Sequence, residues 1–211
     1  MPAQTKEKNL EEDIESFLCS PEGGFFKCDD RHSLLYVEDG TYQMVGGGYM
    51  EHRDRALDAA TLVNFIQTTQ PKAWDRFERM CNSDSTAKFA KVFNDAVDRL
   101  GMVAVLKHGF KHRGIPFKVV FFKPESGLNE SAADHYAKNV CRCIRQFHFA
   151  ETGNQTIDMV LDVNGIPLVG IELKDQFTGQ DVENAMRQWR EDRDPRCRCL
   201  KFNTRMVAFF A

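Results

Sequence analysis

The chain has 211 residues, 28 Lys and Arg against 31 Asp and Glu for a net charge of −3, and 42 % hydrophobic residues. Its 17 Phe, with abundant Val, Leu and Ile, exclude disorder as the main state, and the balanced charge excludes a uniformly basic nucleic-acid-coating protein while leaving room for a local patch. No apolar run approaches the ~18 residues of a membrane span, and the charged N-terminus has no signal-peptide core, so a cytoplasmic protein with no membrane contact is expected.

The first helix is predicted over about residues 8–19, with Leu10, Ile14, Phe17 and Leu18 on one face. From Ser20 to about Leu57 the chain is rich in Gly and charge and reads as loops with at most a short hairpin; Gly46-Gly47-Gly48-Tyr49 reads as a flexible loop. Asp58 suits the cap of a helix carrying Leu62, Phe65 and Ile66, and Pro71 the first turn of the next, with Trp74 and Phe77. Phe89, Val92, Phe93, Ala96, Val97 and Leu100 keep helical spacing, and Gly101 stands where a C-cap belongs. The basic run Lys107 to Arg113 reads as a solvated turn, with contact to a phosphate backbone as the alternative. His108 and His112 flank Gly109, which argues against a helical zinc site.

Then the period changes. Pro116 to Phe122 is a nearly continuous apolar run and predicts a buried strand; Asn129 suits the cap of a short helix ending about Asn139; Val140 to Phe149 predicts a strand. Ile157 to Val163 and Pro167 to Lys174 flank Asn164-Gly165, the strongest short-range hairpin signal in the chain. A helix is expected over about 180–191, with Val182, Ala185, Met186 and Trp189 inward, and a last strand from Arg205 to Phe210. A chain stopping on such an apolar strand reads as a fragment of a longer polypeptide. The seven cysteines (Cys19, Cys28, Cys81, Cys141, Cys143, Cys197 and Cys199) are expected as reduced thiols. The two Cys-x-Cys pairs lie on or near predicted strands and lack the two-residue spacing usual for zinc.

The chemistry concentrates on the predicted hairpin. Alternate strand residues share a face, so Asp158 in one strand and Glu172 and Lys174 in the other can meet on one surface. Two adjacent carboxylates repel unless a cation lies between them, which suits the hard, oxygen-loving Mg²⁺. A lysine beside them can orient or deprotonate a water, or stabilise charge on a phosphate oxygen, and such a set is suited to phosphodiester hydrolysis. The competing reading is a solvated salt-bridge cluster on an exposed sheet face. Against it, the strands are otherwise apolar on both faces, and local violations of a buried pattern tend to mark functional sites.

Asp158-Met-Val-Leu-Asp-Val-Asn-Gly-Ile-Pro-Leu-Val-Gly-Ile-Glu-Leu-Lys174 resembles the PD-(D/E)xK motif in the restriction (R) subunit of type I restriction-modification enzymes. Leu10 to Ile14, Phe65 to Pro71, Leu106 to Gly109, Phe122 to Asn129, Thr178 to Gln180 and Arg187 to Pro195 resemble the same subunit's N-terminal region, in the same order. The resemblance implies Asp158 and Glu172 as metal-binding acids and Lys174 as the catalytic lysine. It implies Mg²⁺, replaceable by Mn²⁺, held by the two acids and the Leu173 backbone carbonyl. Glu11 matches the acid of the family's first helix, with Glu12 and Glu15 close by and a solvated helix face as the alternative. The family's Gln-x-x-x-Tyr is not matched: Ala185 and Trp189 stand nearest, and Gln188 is the best substitute. Asp162 stands where the family has an apolar residue and reads as a hairpin-end surface residue, or else as an acid supporting the metal ligands.

The expected fold class is therefore α/β, a PD-(D/E)xK core with a mixed central sheet flanked by helices. Helix 8–19 and residues 116–211 would form the core of a single N-terminal endonuclease domain, with a helical insertion over about 58–114. The expected partners are double-stranded DNA and the methylation and specificity subunits. ATP would be bound by downstream motor domains, since residues 1–211 contain no P-loop motif. The alternatives are a degenerate fold that only docks DNA or partners, and a stand-alone repair or resolving nuclease.

Overall fold

The computed structural model describes residues 3–37, 40–125, 129–174 and 182–210. Its centre is a five-stranded mixed sheet of β1 (Phe26–Cys28), β6 (Cys141–His148), β7 (Thr156–Val163), β8 (Ile166–Ile171) and β9 (Ala208–Phe210), in the order β1-β6-β7-β8-β9. The inner three strands are an antiparallel meander, while β1 and β9 add in parallel at the two edges. Helix α1 (Ala3–Leu18) packs beside β6. A hairpin of β2 (His32–Tyr36) and β3 (Tyr42–Gly46) and a 3-10 stretch, Gly48–Arg55, lead into α2 (Ala59–Thr69), α3 (Pro71–Glu78), α4 (Ser85–Leu100) and α5 (Met102–His108). The small ribbon β4 (Phe110–His112) and β5 (Ile115–Phe117) follows, then α6 (Glu130–Ala137).

Local chemistry accounts for most of these elements. Asp58 caps α2 by accepting from the Thr61 N–H at 3.1 Å, Pro71 opens α3, and Asn129 caps α6 through the Ala132 N–H at 3.0 Å. At the end of α4, Gly101 has φ +83°, a conformation that L side chains rarely adopt. The helical layer holds its own aromatic core, in which Phe77, Phe89, Phe110 and Phe117 meet with ring centroids 5.0–6.0 Å apart. A second core under the sheet gathers Tyr49, Ile144, Phe147, Ile157 and Val160.

Several expectations need correcting. Helix α1 buries Glu11 and Glu15, whereas Leu10 and Phe17 are exposed. The sheet presents Arg145 and Lys27 to that helix, and pairing buried carboxylates with these cations outweighs packing its apolar stripe (Lys27 Nζ lies 2.6 Å from Glu15). The glycine run is not a loose loop: Gly46 ends β3, Gly48 has φ +58° with no room for a Cβ beside the Asp30 and His32 backbone, and Tyr49 is buried. The run 116–122 is strand only to Phe117, and Phe122 is exposed, because β5 pairs with β4 in an isolated ribbon and not with the sheet. The segment 102–108 is a helix, and β1 is a sheet strand; neither has enough periodicity to stand out. The Cys-x-Cys pairs lie apart, Cys141 and Cys143 on β6 and Cys197 and Cys199 in turns. Burial pushes Cys141 up to about 11 and Cys143 and Cys199 to about 12, so they are thiols at neutral pH.

Asp162 is likewise no surface residue. It is fully buried, accepts from Arg142 Nε at 2.9 Å and from the Tyr49 hydroxyl at 2.6 Å, and sits in a network that also joins Arg142 to Asp58 at 2.8 Å. Asp58 in turn accepts from Ser33 and Thr61, both at 2.7 Å. This network pins β6 and β7 to α2 and the β2–β3 hairpin. Asp162 stands directly opposite Arg142 in the regular β6–β7 register. On its other side the β7–β8 register shifts between Leu161 and Asp162, a bulge with Leu168 the extra residue on β8.

Candidate active site

The β7–β8 turn starts the pairing, and the bulge beyond it sets the register at the acids. Asn164 and Gly165 have φ of 54° and 81°, as a type I′ turn requires, and Asn164 is tied down by donating to the Val119 carbonyl at 2.9 Å. From that turn the pairing runs to Met159 opposite Ile171, so the next residues outward are Asp158 and Glu172. There β8 ends, earlier than its apolar run suggests. The Asp158 carboxylate accepts the Leu173 N–H at 2.8 Å, replacing a ladder bond with a side chain, while the Glu172 N–H turns to the Phe210 carbonyl of β9 at 3.1 Å.

Glu172 is fully buried. Its Oε1 accepts from Arg193, with Nε at 3.1 Å and Nη2 also in contact. Arg193 is itself held by donating to the Thr156 carbonyl at 2.8 Å and by lying over the Phe149 ring at 4.8 Å. The other oxygen, Oε2, is buried with no hydrogen-bond partner. Burial, and then the negative charge of Asp158, push the Glu172 carboxyl from an ordinary 4.5 up to about 7, against the pull of Arg193. An orphaned buried carboxylate oxygen beside a second acid suits a hard divalent cation, which would satisfy the oxygen and remove the repulsion. Among the described residues no group of three or more His, Cys, Asp or Glu side chains is arranged to hold a metal.

Lys174 follows two residues beyond Glu172 and is half-buried. Helix α7 (Val182–Arg187) runs into a π-helical turn, Gln188–Asp192, which Gln188 opens. That turn is docked by its own Trp189, whose Nε1 donates to the Phe210 carbonyl at 3.2 Å. The indole occupies space that only a glycine leaves, since a Cβ on Gly170 would stand 2.7 Å from it. Ala185 points inward as expected, whereas Met186 is exposed. Glu11 accepts from Arg145 at 3.0 and 2.8 Å and from Gln146 at 3.2 Å, so its carboxylate already has a cation and an amide. Gln180 lies outside the described residues. Arg193 is the residue that sequence reasoning passed over; it lies in a charge-rich stretch where nothing in the spacing separates a buried arginine from a solvated one.

A meander whose second and third strands bring an acid pair together, followed by a helical segment and a parallel strand, defines a PD-(D/E)xK-like nuclease fold. The family model for the type I restriction enzyme R protein N terminus matches residues 61–210, and the chain belongs to that family. No curated protein and no solved structure matches it. No helix among the described residues is long and apolar enough to cross a membrane.

Proposed function

We propose that the chain is the Mg²⁺-dependent endonuclease module of a type I restriction enzyme, hydrolysing phosphodiester bonds in unmodified double-stranded DNA. One observation carries the reading: a fully buried glutamate beside a second acid, with one oxygen clamped by arginine and the other left without a partner. Asp158, the Glu172 Oε2 and the Leu173 carbonyl would hold the cation, which supplies charge neutralisation for the phosphate and a more acidic water. Arg193 fixes the Glu172 rotamer, so that Oε2 and not Oε1 faces the site. Lys174 orients the attacking water or holds charge on a phosphate oxygen. Gln188 is the contribution of the following helix to the site, and Glu11 acts as a positioning residue through Arg145 and Gln146.

Family membership implies DNA and complex partners in general. In this reading methylation and specificity subunits select the DNA, and ATP-driven motor domains outside residues 1–211 deliver it. The test is cleavage by the assembled enzyme with Glu172→Ala or Lys174→Ala. Both variants should lose DNA cutting and retain ATP hydrolysis, with melting temperatures within a few degrees of the parent. Wild-type cutting by either variant would overturn the assignment, and unfolding would make the residues a structural ion pair.

A further inference from the structure

The basic run at 107–113 is not a solvated turn. Residues 110–117 form a rigid two-stranded ribbon whose inward side chains, Phe110, Ile115 and Phe117, are buried in the aromatic core of the helical layer. The outward ones, Lys111 and Arg113, are exposed. Together with Arg99 near the end of α4 and His112, they line a cleft of about 340 Å³ between ribbon and helix. Among the described residues none of Arg99, Lys111 and Arg113 forms an ion pair. The acid on the cleft wall, Asp95, is already paired with Lys91 at 2.9 Å. Three cations with no ion pair among the described residues thus gather at one cleft on a chain of net charge −3. Burial, and then the Arg113 charge, lower the pKa of His112, against Asp95.

The tip of the ribbon breaks a local rule. Arg113 and Gly114 have φ of 47° and 79°, a turn in which asparagine or glycine is favoured at the first position. A long arginine there carries backbone strain, and strain of this kind persists where a side chain has work to do. We infer that the β4–β5 ribbon and Arg99 form a docking surface for the phosphodiester backbone of duplex DNA, separate from the acid pair. The inference rests on the nuclease reading for its choice of DNA. Aromatic packing holds the backbone that carries these cations, so only side-chain freedom is lost on meeting phosphates, and backbone contacts position a duplex without reading its sequence.

The test uses Arg113→Asn, and Arg113→Asn combined with Lys111→Gln, with binding of a fluorescent 20-base-pair duplex to the 211-residue chain measured from low to moderate salt. Each lost phosphate contact should reduce the slope of log K against log salt by about 0.9, so the double variant should lose nearly 2 in slope and about tenfold in affinity. Arg113→Asn should melt no lower than the parent, since asparagine suits the turn, which a purely structural arginine would not allow. Mn²⁺ binding, read by calorimetry, should be unchanged in both. No duplex binding by the parent at low salt, or equal binding by the double variant, overturns the inference. If the parent binds through the ribbon while Glu172→Ala leaves cutting by the assembled enzyme intact, the docking surface stands and the nuclease reading falls.

Discussion

Neutralising Glu172 without changing its shape, by Glu172→Gln, should stabilise the metal-free chain while destroying its capacity to hold a cation. Because the fold raises this carboxyl from 4.5 to about 7, it favours the protonated form. The stability tied to Glu172 is therefore fully present below the ordinary value of 4.5 and is lost as pH rises from there through about 7. One pKa unit is worth about 1.4 kcal/mol, so the ionised side chain would cost about 3 kcal/mol at pH 8, or ~2 once water reaching the carboxylate is discounted, and under ~1 kcal/mol at pH 5. Glutamine mimics the protonated acid, and its amide oxygen can still accept from Arg193. At ~2–4 °C per kcal/mol for a chain of this size, the variant should melt about 4–10 °C above the parent at pH 8 in chelator, with little difference at pH 5. Saturating Mg²⁺ should raise the parent and leave the variant unmoved. Differential scanning calorimetry at the two pH values, with and without Mg²⁺, reads all of this. A variant less stable than the parent at pH 8 would refute the argument. It would mean that Arg193 more than compensates the buried charge and that Glu172 belongs to a structural ion pair.

Arg142→Met should lose about 3–5 kcal/mol in urea denaturation, because it leaves Asp58 and Asp162 buried without their cation. Gly165→Ala should cost more than ~1 kcal/mol, since a Cβ there stands 2.4 Å from the Asp58 carbonyl oxygen on a backbone with φ +81°; an unchanged denaturation midpoint would show that the turn can relax. The 211-residue chain alone should nick plasmid DNA slowly and without site preference, better with Mn²⁺ than Mg²⁺, because its small basic patch and net charge of −3 gather substrate weakly. Plasmid relaxation beside Asp158→Ala measures this, and rapid site-specific cutting without ATP would instead indicate a stand-alone endonuclease.

Where one strong local signal sufficed, the sequence by itself determined the structure. Asn164-Gly165 between apolar runs dictated the hairpin. The meeting of Asp158 and Glu172 needed the bulge as well: the register of the turn alone would set Asp158 opposite Ile171, and the shift between Leu161 and Asp162 moves it on to Glu172. Asp58, Pro71 and Gly101 set helix boundaries through backbone hydrogen bonding and φ, which act within a few residues. Tertiary structure decided what depends on partners far along the chain. Helix α1 turned its acids inward because Arg145, more than a hundred residues away, faces it. Asp162 became a core residue because Arg142, opposite it on β6, and the Tyr49 hydroxyl received it. Arg193 became the clamp on Glu172 because Trp189 settles over Gly170 and brings its turn against β9. The same holds for the basic ribbon, whose backbone is held only because Phe110 and Phe117 find the aromatic core of helices formed earlier in the chain. In each case a charge was legible but its burial was not, since burial is a property of the neighbours that folding collects around a residue.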